Sequence, residues 1–182
     1  SYGYGILLTP LQILSFYNGN ANNREMVKPT FLESTSKLGS TNFYEFKKEI
    51  INPSICSKKT SSIVQKMLLD VIHHKNGTAK NIKSEHIKIA GKTGTAQIGY
   101  GTDEINYISS FVGYFPYENP QLLCLIIIDS PDVSRNLHWG GISAAPVFKS
   151  VMDRIINIDK SITISRSKNQ IVKNEPILIQ KN

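Results

Sequence analysis

Residues 92–95 are Lys-Thr-Gly-Thr, a run that places a cation, two hydroxyls and a missing side chain next to one another. The residues just before it, HIKIA, alternate between polar and apolar side chains, which is typical of a β-strand. A strand with this content can bind the acidic end of an extended peptide. Lys92 would attract a carboxylate, the hydroxyls of Thr93 and Thr95 would hold it, and Gly94 would let the peptide backbone pair with the strand.

A purely structural interpretation of the same run stays open. A lysine on an edge strand opposes aggregation, and threonines are common in strands because β-branched side chains fit a pleated surface. Lys-Thr-Gly is also short enough to occur by chance. The choice between binding and structure therefore depends on the elements that surround the run.

The first half of the chain predicts two helices separated by an exposed excursion over residues 26–52. Thr9 can cap the first N–H groups of a helix, and Pro10 costs nothing at the first helical position. We expect a helix over Pro10–Ala21, weakened by Gly19, and a longer one over residues 57–75. The first helix would place Leu11, Leu14, Tyr17 and Ala21 on one face. The second should bury a stripe of Ile63, Val64, Met67, Leu68, Val71 and Ile72.

The second half predicts a three-stranded antiparallel meander followed by a helix. Residues 86–97 alternate, residues 108–115 follow, and a turn at 117–120 leads into the apolar run 122–128, which we expect to be central and covered on both faces. After Gly140 and Gly141 an apolar stripe at helical spacing predicts a helix that packs on the sheet, formed by Val147, Phe148, Val151, Met152, Ile155 and Ile156. The fold class is therefore α+β.

Composition excludes several functions. The 182 residues carry a formal net charge of +7, with 40% hydrophobic and 19% charged residues, as in ordinary folded domains. The lysines form no arginine-rich or aromatic-interleaved motif, so we expect no nucleic-acid binding. Cys56 and Cys124 require no disulfide, and no Cys or carboxylate spacing turns His73 and His74 into a metal site.

Several segments follow one another in an informative order along the chain: YGYGILLTPLQILSFYNGNAN, MVKP, NGTAKNI, GKTGTAQ, NYISSFVGYFPYENP and WGGISAAPVFKSVMDRI. This order resembles the C-terminal half of a class B penicillin-binding protein transpeptidase domain, most closely the division-specific type. The resemblance covers residues 1–157, and we expect a polar linker or tail over 158–182. His138 and Trp139 depart from the family, which often has paired tyrosines there.

The resemblance implies a partial penicillin-binding, serine β-lactamase-like domain and acyl transfer without a cofactor or metal. A serine would attack a peptidoglycan stem peptide ending in D-Ala-D-Ala, release the terminal D-Ala and pass the acyl group to an amine. β-Lactams would acylate the same serine. Lys92 and Thr95 would be catalytic, with the N–H of Thr95 as half of an oxyanion hole, and Lys92, Thr93, Gly94 and Thr95 would bind substrate.

The nucleophile is expected outside this chain, because the family's SxxK and SxN motifs precede the Lys-Thr-Gly strand by more than a hundred residues. Two SxxK strings occur at 34–37 and 165–168, and an SxN string at 40–42. An activated serine needs its lysine one helical turn away, and the flanking residues do not favour a helix at any of these places. We therefore expect half an active site, inactive alone, with Tyr100, Gly101 and Thr102 as candidates for the cleft mouth or for a simple turn.

The resemblance also implies division or cell-wall synthesis proteins as partners. It implies a location at the extracytoplasmic, periplasmic face of the bacterial inner membrane, through an anchor upstream of Ser1. Two other functions stay open. A D,D-carboxypeptidase or β-lactamase would share Lys-Thr-Gly but lack the TPLQ and AAPVF context, and a non-catalytic β-lactam sensor or interaction module would be acylated without transferring the acyl group.

Overall fold

A three-stranded antiparallel sheet carries the Lys-Thr-Gly-Thr run in the computed structural model, which describes residues 6–36, 38, 43–99, 106–159 and 162. Its strands are β5 (Ala90–Ile98), β6 (Asn106–Phe115) and β7 (Leu122–Asp129), in the spatial order β5-β6-β7. The predicted meander and the α+β class are confirmed. Three helices flank the sheet: α1 (Pro10–Ala21), α2 (Lys58–His73) and α3 (Ala144–Ile158).

The central strand is β6, not β7 as expected. Phe111, Val112, Tyr114 and Phe115 of β6 are buried, whereas β7 is mostly half-buried and Ile127 is 43% exposed. Within the described residues, β7 has a strand neighbour on one side only. The apolar run of β7 therefore did not show whether this strand has neighbouring strands on both sides or on one side only.

The aromatic core lies between one face of the sheet and α3. Phe148 of α3 meets Phe111 and Phe115 of β6 edge to face, with ring centroids 4.9 and 5.9 Å apart, and all three side chains are buried. Met152, one turn further along α3, is buried in the same cluster. The expectation that the last helix packs on the sheet is confirmed, although Val147 of its predicted stripe is exposed.

The helix α1 lies against the opposite face of the sheet and has the predicted bounds. Thr9 and Gln12 form a capping box at its start. Leu11, on the predicted apolar face, is 40% exposed, whereas Ser15, Gly19 and Asn20 are buried. Gly19 makes a close contact at the end of the helix, where an added Cβ would lie 3.0 Å from Cδ1 of Ile55.

The helix α2 begins after the N-cap Ser57, as predicted, and packs on both α1 and the sheet. Asn20 of α1 donates to Ser61, and its carbonyl accepts from Nε2 of Gln65 at 2.8 Å. Leu68 packs on Ala90 and Tyr114. The predicted stripe is only partly buried, because Ile63 is 47% and Met67 is 62% exposed.

The described residues 30–35 and 44–54 between α1 and α2 are exposed, as predicted, whereas most of residues 22–29 are half-buried. The segment contains two short antiparallel pairs formed by β1 (Met26–Val27) with β4 (Ile50–Asn52) and by β2 (Ser34–Ser36) with β3 (Phe43–Glu45). None of the helices in the described part of the chain is long and apolar enough to cross a membrane.

Several predicted features lie outside the described residues. These are Lys37, the SxN string at 40–42, the candidate cleft residues Tyr100, Gly101 and Thr102, and the SxxK string at 165–168. The division into a domain over 1–157 and a tail over 158–182 stays a prediction.

Phe148→Ala should lower the free energy of unfolding by about 3–5 kcal/mol, because it leaves a cavity between α3 and the sheet. Val147→Ala is the matched control, since this neighbour is exposed, and should change stability by about 0.5 kcal/mol or less. Urea unfolding of both variants measures the difference. Equal effects would contradict the packing of α3 described above.

His73 ends α2 in a place that disfavours its charged form. Burial lowers the pKa of its imidazole, and the positive charges of Lys83 and Lys88 lower it further, whereas Glu118 and Asp70 act in the opposite direction with less effect. Its Nε2 is buried and has no hydrogen-bond partner within the described residues. The neutral imidazole is therefore the form that the folded chain favours.

His73→Gln should flatten the pH dependence of stability on the acid side. Because the pKa of His73 is lower in the folded than in the unfolded chain, its contribution is complete above a pH of about 6.5 and is lost as pH falls through the folded pKa. Thermal midpoints between pH 7.5 and 5 should fall less for this variant than for the unchanged chain. His86→Gln, at an exposed histidine, should keep the original slope.

Candidate functional site

Lys92, Thr93, Gly94 and Thr95 lie in the middle of β5, which is an edge strand of the described sheet. They pair in order with Val112, Phe111, Ser110 and Ser109 of β6. Lys92 is exposed and the other three are half-buried. The run is therefore accessible, and the described strands leave one side of its backbone open for pairing.

The side chains of the run alternate between the two faces of the sheet. Thr93 pairs with Phe111, so both point toward α3, and Thr95 lies on the same face. Lys92 lies on the other face, and its Nζ donates to the carbonyl of Thr93 at 2.6 Å. The ammonium group of Lys92 therefore lies on one face of the strand, and the hydroxyls of Thr93 and Thr95 lie on the other.

Both threonine hydroxyls are held by partners elsewhere in the chain. Oγ1 of Thr93 lies 3.0 Å from Oγ1 of Thr78, and either hydroxyl can be the donor. Oγ1 of Thr95 accepts from the N–H of Gly140 at 3.2 Å. A hydroxyl that accepts one hydrogen bond still has its own proton to donate, so Thr95 keeps a donor for a ligand.

The loop before α3 contacts β5 through Gly140. A Cβ at Gly140 would lie 2.4 Å from the carbonyl oxygen of Gly94 and 2.3 Å from that of Ser110. These are backbone atoms of two paired strands and cannot move aside. At Gly94 itself, an added Cβ would instead meet Oγ of Ser110 at 2.4 Å, an atom that rotation can displace.

The turn after α2 completes this contact. A Cβ at Gly141 would lie 2.0 Å from the carbonyl oxygen of Thr78, and Nδ2 of Asn81 donates to the carbonyl of Gly141 at 3.0 Å. Residues 78–81, the loop 138–141 and β5 therefore form one contact cluster. We name it the glycine clasp, after Gly140 and Gly141 at its centre.

An aromatic group lies at the end of the clasp beside Thr95. The ring of His138 lies 4.7 Å from both Tyr107 and Trp139, and the carbonyl of His138 accepts from the hydroxyl of Ser109, the residue opposite Thr95. His138 and Trp139, where the family often has paired tyrosines, therefore still keep the loop in contact with the sheet. In the described residues, no group of three or more His, Cys, Asp or Glu side chains is placed to hold a metal ion.

Comparison with known proteins identifies the fold that carries this strand. Residues 1–153 match the model of the penicillin-binding protein transpeptidase domain. The chain belongs to this transpeptidase family. The resemblance inferred from the motifs is confirmed.

Two relatives of the transpeptidase chain carry names that state an activity. A protein of Mesostigma viride named peptidoglycan D,D-transpeptidase FtsI homolog is 31% identical over 176 residues, which are 88% of this chain and 28% of the relative. The peptidoglycan D,D-transpeptidase FtsI of Buchnera aphidicola subsp. Baizongia pistaciae is 33% identical over 160 residues, which are 87% of this chain and 26% of the relative.

A solved structure agrees with the assignment. The transpeptidase domain of Burkholderia pseudomallei penicillin-binding protein 3 is 28% identical and superposes with a TM-score of 0.67, over 86% of this chain and 44% of that one. The chain thus spans about a quarter of the relatives' length and less than half of this solved domain.

Sequence reasoning found the strand of the candidate site but missed the residues that hold it. Thr78 and Asn81 follow a helix end and have no motif of their own, although both lie in the NGTAKNI segment that contributed to the resemblance. Gly140 and Gly141 were recognised as a pair without a role. Consecutive glycines just before a helix could have signalled a close backbone approach.

Gly140→Ala should destabilise the transpeptidase chain by about 2 kcal/mol or more, because the added methyl group overlaps the carbonyls of Gly94 and Ser110 and forces the backbone to shift. Ile142→Ala, two residues along and 52% exposed, is the control and should have little effect. Thermal unfolding checks stability, and ¹⁵N chemical shifts of β5 check the strand. Unchanged β5 shifts in a folded Gly140→Ala variant would contradict the clasp.

Proposed function

We propose that this chain is the part of a peptidoglycan D,D-transpeptidase that binds the carboxylate end of the donor stem peptide. One observation carries the proposal. Lys92, Thr93, Gly94 and Thr95 lie on an accessible edge strand, and the glycine clasp holds the two threonine hydroxyls. Family membership and the names of the relatives support the reaction class.

In this proposal an extended peptide ending in D-Ala-D-Ala adds to β5 as a further strand. Its terminal carboxylate lies near Lys92 and accepts from the hydroxyls of Thr93 and Thr95. The scissile carbonyl points its oxygen at the N–H of Thr95, one of the two donors that stabilise the negative charge of the tetrahedral intermediate. Removing such a donor typically lowers the rate by roughly 10²–10³.

The chemistry requires a serine. Its hydroxyl oxygen attacks the carbonyl between the two D-Ala residues, the C–N bond breaks, and the departing amine takes a proton as D-Ala leaves. An amine from a neighbouring peptide then attacks the resulting ester and returns the proton to the serine. A β-lactam acylates the same serine when its ring amide opens. No cofactor enters either step.

We assign this serine to polypeptide other than this chain. Ser34 begins one of the two SxxK strings, but it lies in the short exposed strand β2, and an activated serine of this kind needs a helical turn. As the resemblance to class B penicillin-binding proteins implies, the complete enzyme would act at the outer face of the bacterial inner membrane with other cell-wall synthesis proteins.

Titration of the ¹⁵N-labelled chain with a peptide ending in D-Ala-D-Ala tests the binding role. Amide shifts should move along β5 from Lys92 to Gln97, and the same peptide with a C-terminal amide should bind at least fivefold more weakly. Thr95→Val should weaken binding by a similar factor. Thr35→Val, on the exposed strand β2, should not. Equal binding of acid and amide would refute the carboxylate role of the strand.

Fluorescent penicillin tests where the nucleophile lies. We expect no covalent label on the 182-residue chain after incubation and denaturing electrophoresis. A stable adduct would place an acylatable serine within this chain and contradict the assignment above.

A further inference from the structure

A pocket lies between the end of α1 and the start of β7. It holds about 350 Å³, and Val27, Leu122 and Leu123 give it apolar walls. This volume is at the lower end of the range for pockets that bind small molecules. Its described lining comes from α1, from the segment between α1 and α2, and from β6, β7 and the turn between these two strands, but not from β5. We call it the α1–β7 pocket.

Two of the side chains that line this pocket carry a buried polar atom without a hydrogen-bond partner in the described residues. These atoms are Oδ1 of Asn18 and the hydroxyl of Tyr114. Tyr114 is 1% exposed, and burial, with a smaller effect of Tyr117, raises the pKa of its phenol. The hydroxyl therefore stays protonated and can donate, whereas Oδ1 of Asn18 can only accept.

The two atoms are unusual for a folded protein. Nearly all buried polar side-chain atoms have a hydrogen-bond partner, because an unpaired one has lost its hydration without compensation. Here one acceptor and one donor without partners belong to side chains of the same pocket. This coincidence indicates that the pocket is built to bind a molecule that supplies both partners.

The lining of the pocket restricts the chemistry of its ligand. A carboxamide matches the two atoms, because its N–H can donate to Oδ1 of Asn18 while its carbonyl accepts from the hydroxyl of Tyr114. The apolar walls suit a hydrocarbon or aromatic body. Among the described lining residues the one charge belongs to Lys48, which forms an ion pair with Glu25. An ionic ligand would therefore lose hydration without meeting a free opposite charge.

We propose that the α1–β7 pocket binds a small neutral carboxamide with an apolar body, held by Asn18 and Tyr114. The site is separate from the strand that binds the stem peptide in the proposed function. Tyr114 pairs with Ala90, and Ala90 precedes Thr95 by five residues, or roughly 17 Å along the strand. The inference therefore does not depend on the proposed function.

Benzamide is a suitable probe, because it joins a neutral carboxamide to an aromatic ring. Titrated into the ¹⁵N-labelled chain, it should shift the side-chain amide of Asn18 and the backbone amides of Tyr114 and Leu123. The dissociation constant should be millimolar or tighter, as is usual for a ligand of this size. An absence of binding at millimolar concentrations would overturn the proposal and leave the two polar atoms to solvent.

Two analogues of benzamide test the predicted ligand chemistry. Methyl benzoate keeps the ring and the carbonyl but has no N–H, and it should bind at least fivefold more weakly. Benzoate carries a negative charge and should also bind at least fivefold more weakly. If either analogue bound as tightly as benzamide, the pocket would not select a neutral carboxamide and the proposal would be wrong.

Variants of the chain test whether the two polar atoms hold the probe. Tyr114→Phe and Asn18→Ala should each weaken benzamide binding at least fivefold. Tyr17→Phe is the matched control, since Tyr17 packs on the same apolar cluster as Tyr114 but is not among the residues that line the pocket, and should keep the affinity. Unchanged affinity in either pocket variant would contradict the assignment.

The thermal midpoint of the free Tyr114→Phe variant separates ligand binding from a structural role of the hydroxyl. Removing a buried hydroxyl that has no partner removes the cost of its lost hydration, so the midpoint should be unchanged or higher. A lower midpoint would mean that the hydroxyl already has a partner within the chain and would overturn the proposal.

Thr95→Val distinguishes this inference from the proposed function. The variant is expected to weaken peptide binding on β5, whereas benzamide should bind to it as tightly as to the unchanged chain. Weaker benzamide binding to Thr95→Val would place the probe on the Lys-Thr-Gly-Thr run and overturn the proposal, whatever the result with the peptide.

Discussion

The contact of Gly140 with the backbone of Gly94 determines the arrangement of the candidate site. Two chain segments can approach at this distance only where one of them has no side chain, and here the carbonyls of Gly94 and Ser110 leave no room for a methyl group. The contact places the N–H of Gly140 against Oγ1 of Thr95, and next to it the carbonyl of Thr78 lies against Gly141. One backbone contact thus fixes two segments that are distant in sequence and orients a hydroxyl on the strand.

Both segments of the clasp are connected to helices that pack on the sheet. The loop 138–141 leads directly into α3, whose Ala144, Ala145 and Phe148 are fully buried against the sheet. On the other side of the clasp, the N–H of Ala79 donates to the carbonyl of Val71 and ties the turn to the end of α2.

The local sequence predicted which helices and strands form. It did not predict every contact between them. The bounds of α1 follow from Thr9 and Pro10, and the strands follow from alternation and the turn before Leu122. The errors concern Ile63, Met67 and the position of β7, where burial depends on what packs outside the element. Periodicity identifies an apolar face, but it does not state whether that face has a partner in the same chain.

The same limit applies to the site. The run 92–95 was found because its residue types make little sense as packing, and the motif order assigned it to a family. Thr78 and Asn81 have ordinary residue types for a turn, so only the fold shows that they hold Thr93 and Gly141. Residues that act by supporting others carry no chemical signature of their own, and sequence reasoning passes over them for that reason.

The alternation of β5 restricts how any acidic ligand can use the whole run. A ligand lying on the α3 face would meet Thr93 and Thr95 but not Lys92, and a ligand on the opposite face would meet Lys92 alone. Only a group at the open edge of the strand is within reach of side chains from both faces, because they flank that edge from above and below. Along an edge that no described strand pairs with, backbone donors and acceptors can be satisfied by an extended peptide but not by a compact anion. The residue order Lys-Thr-Gly-Thr on an edge strand is thus better matched to the carboxylate end of a peptide chain than to an isolated anion.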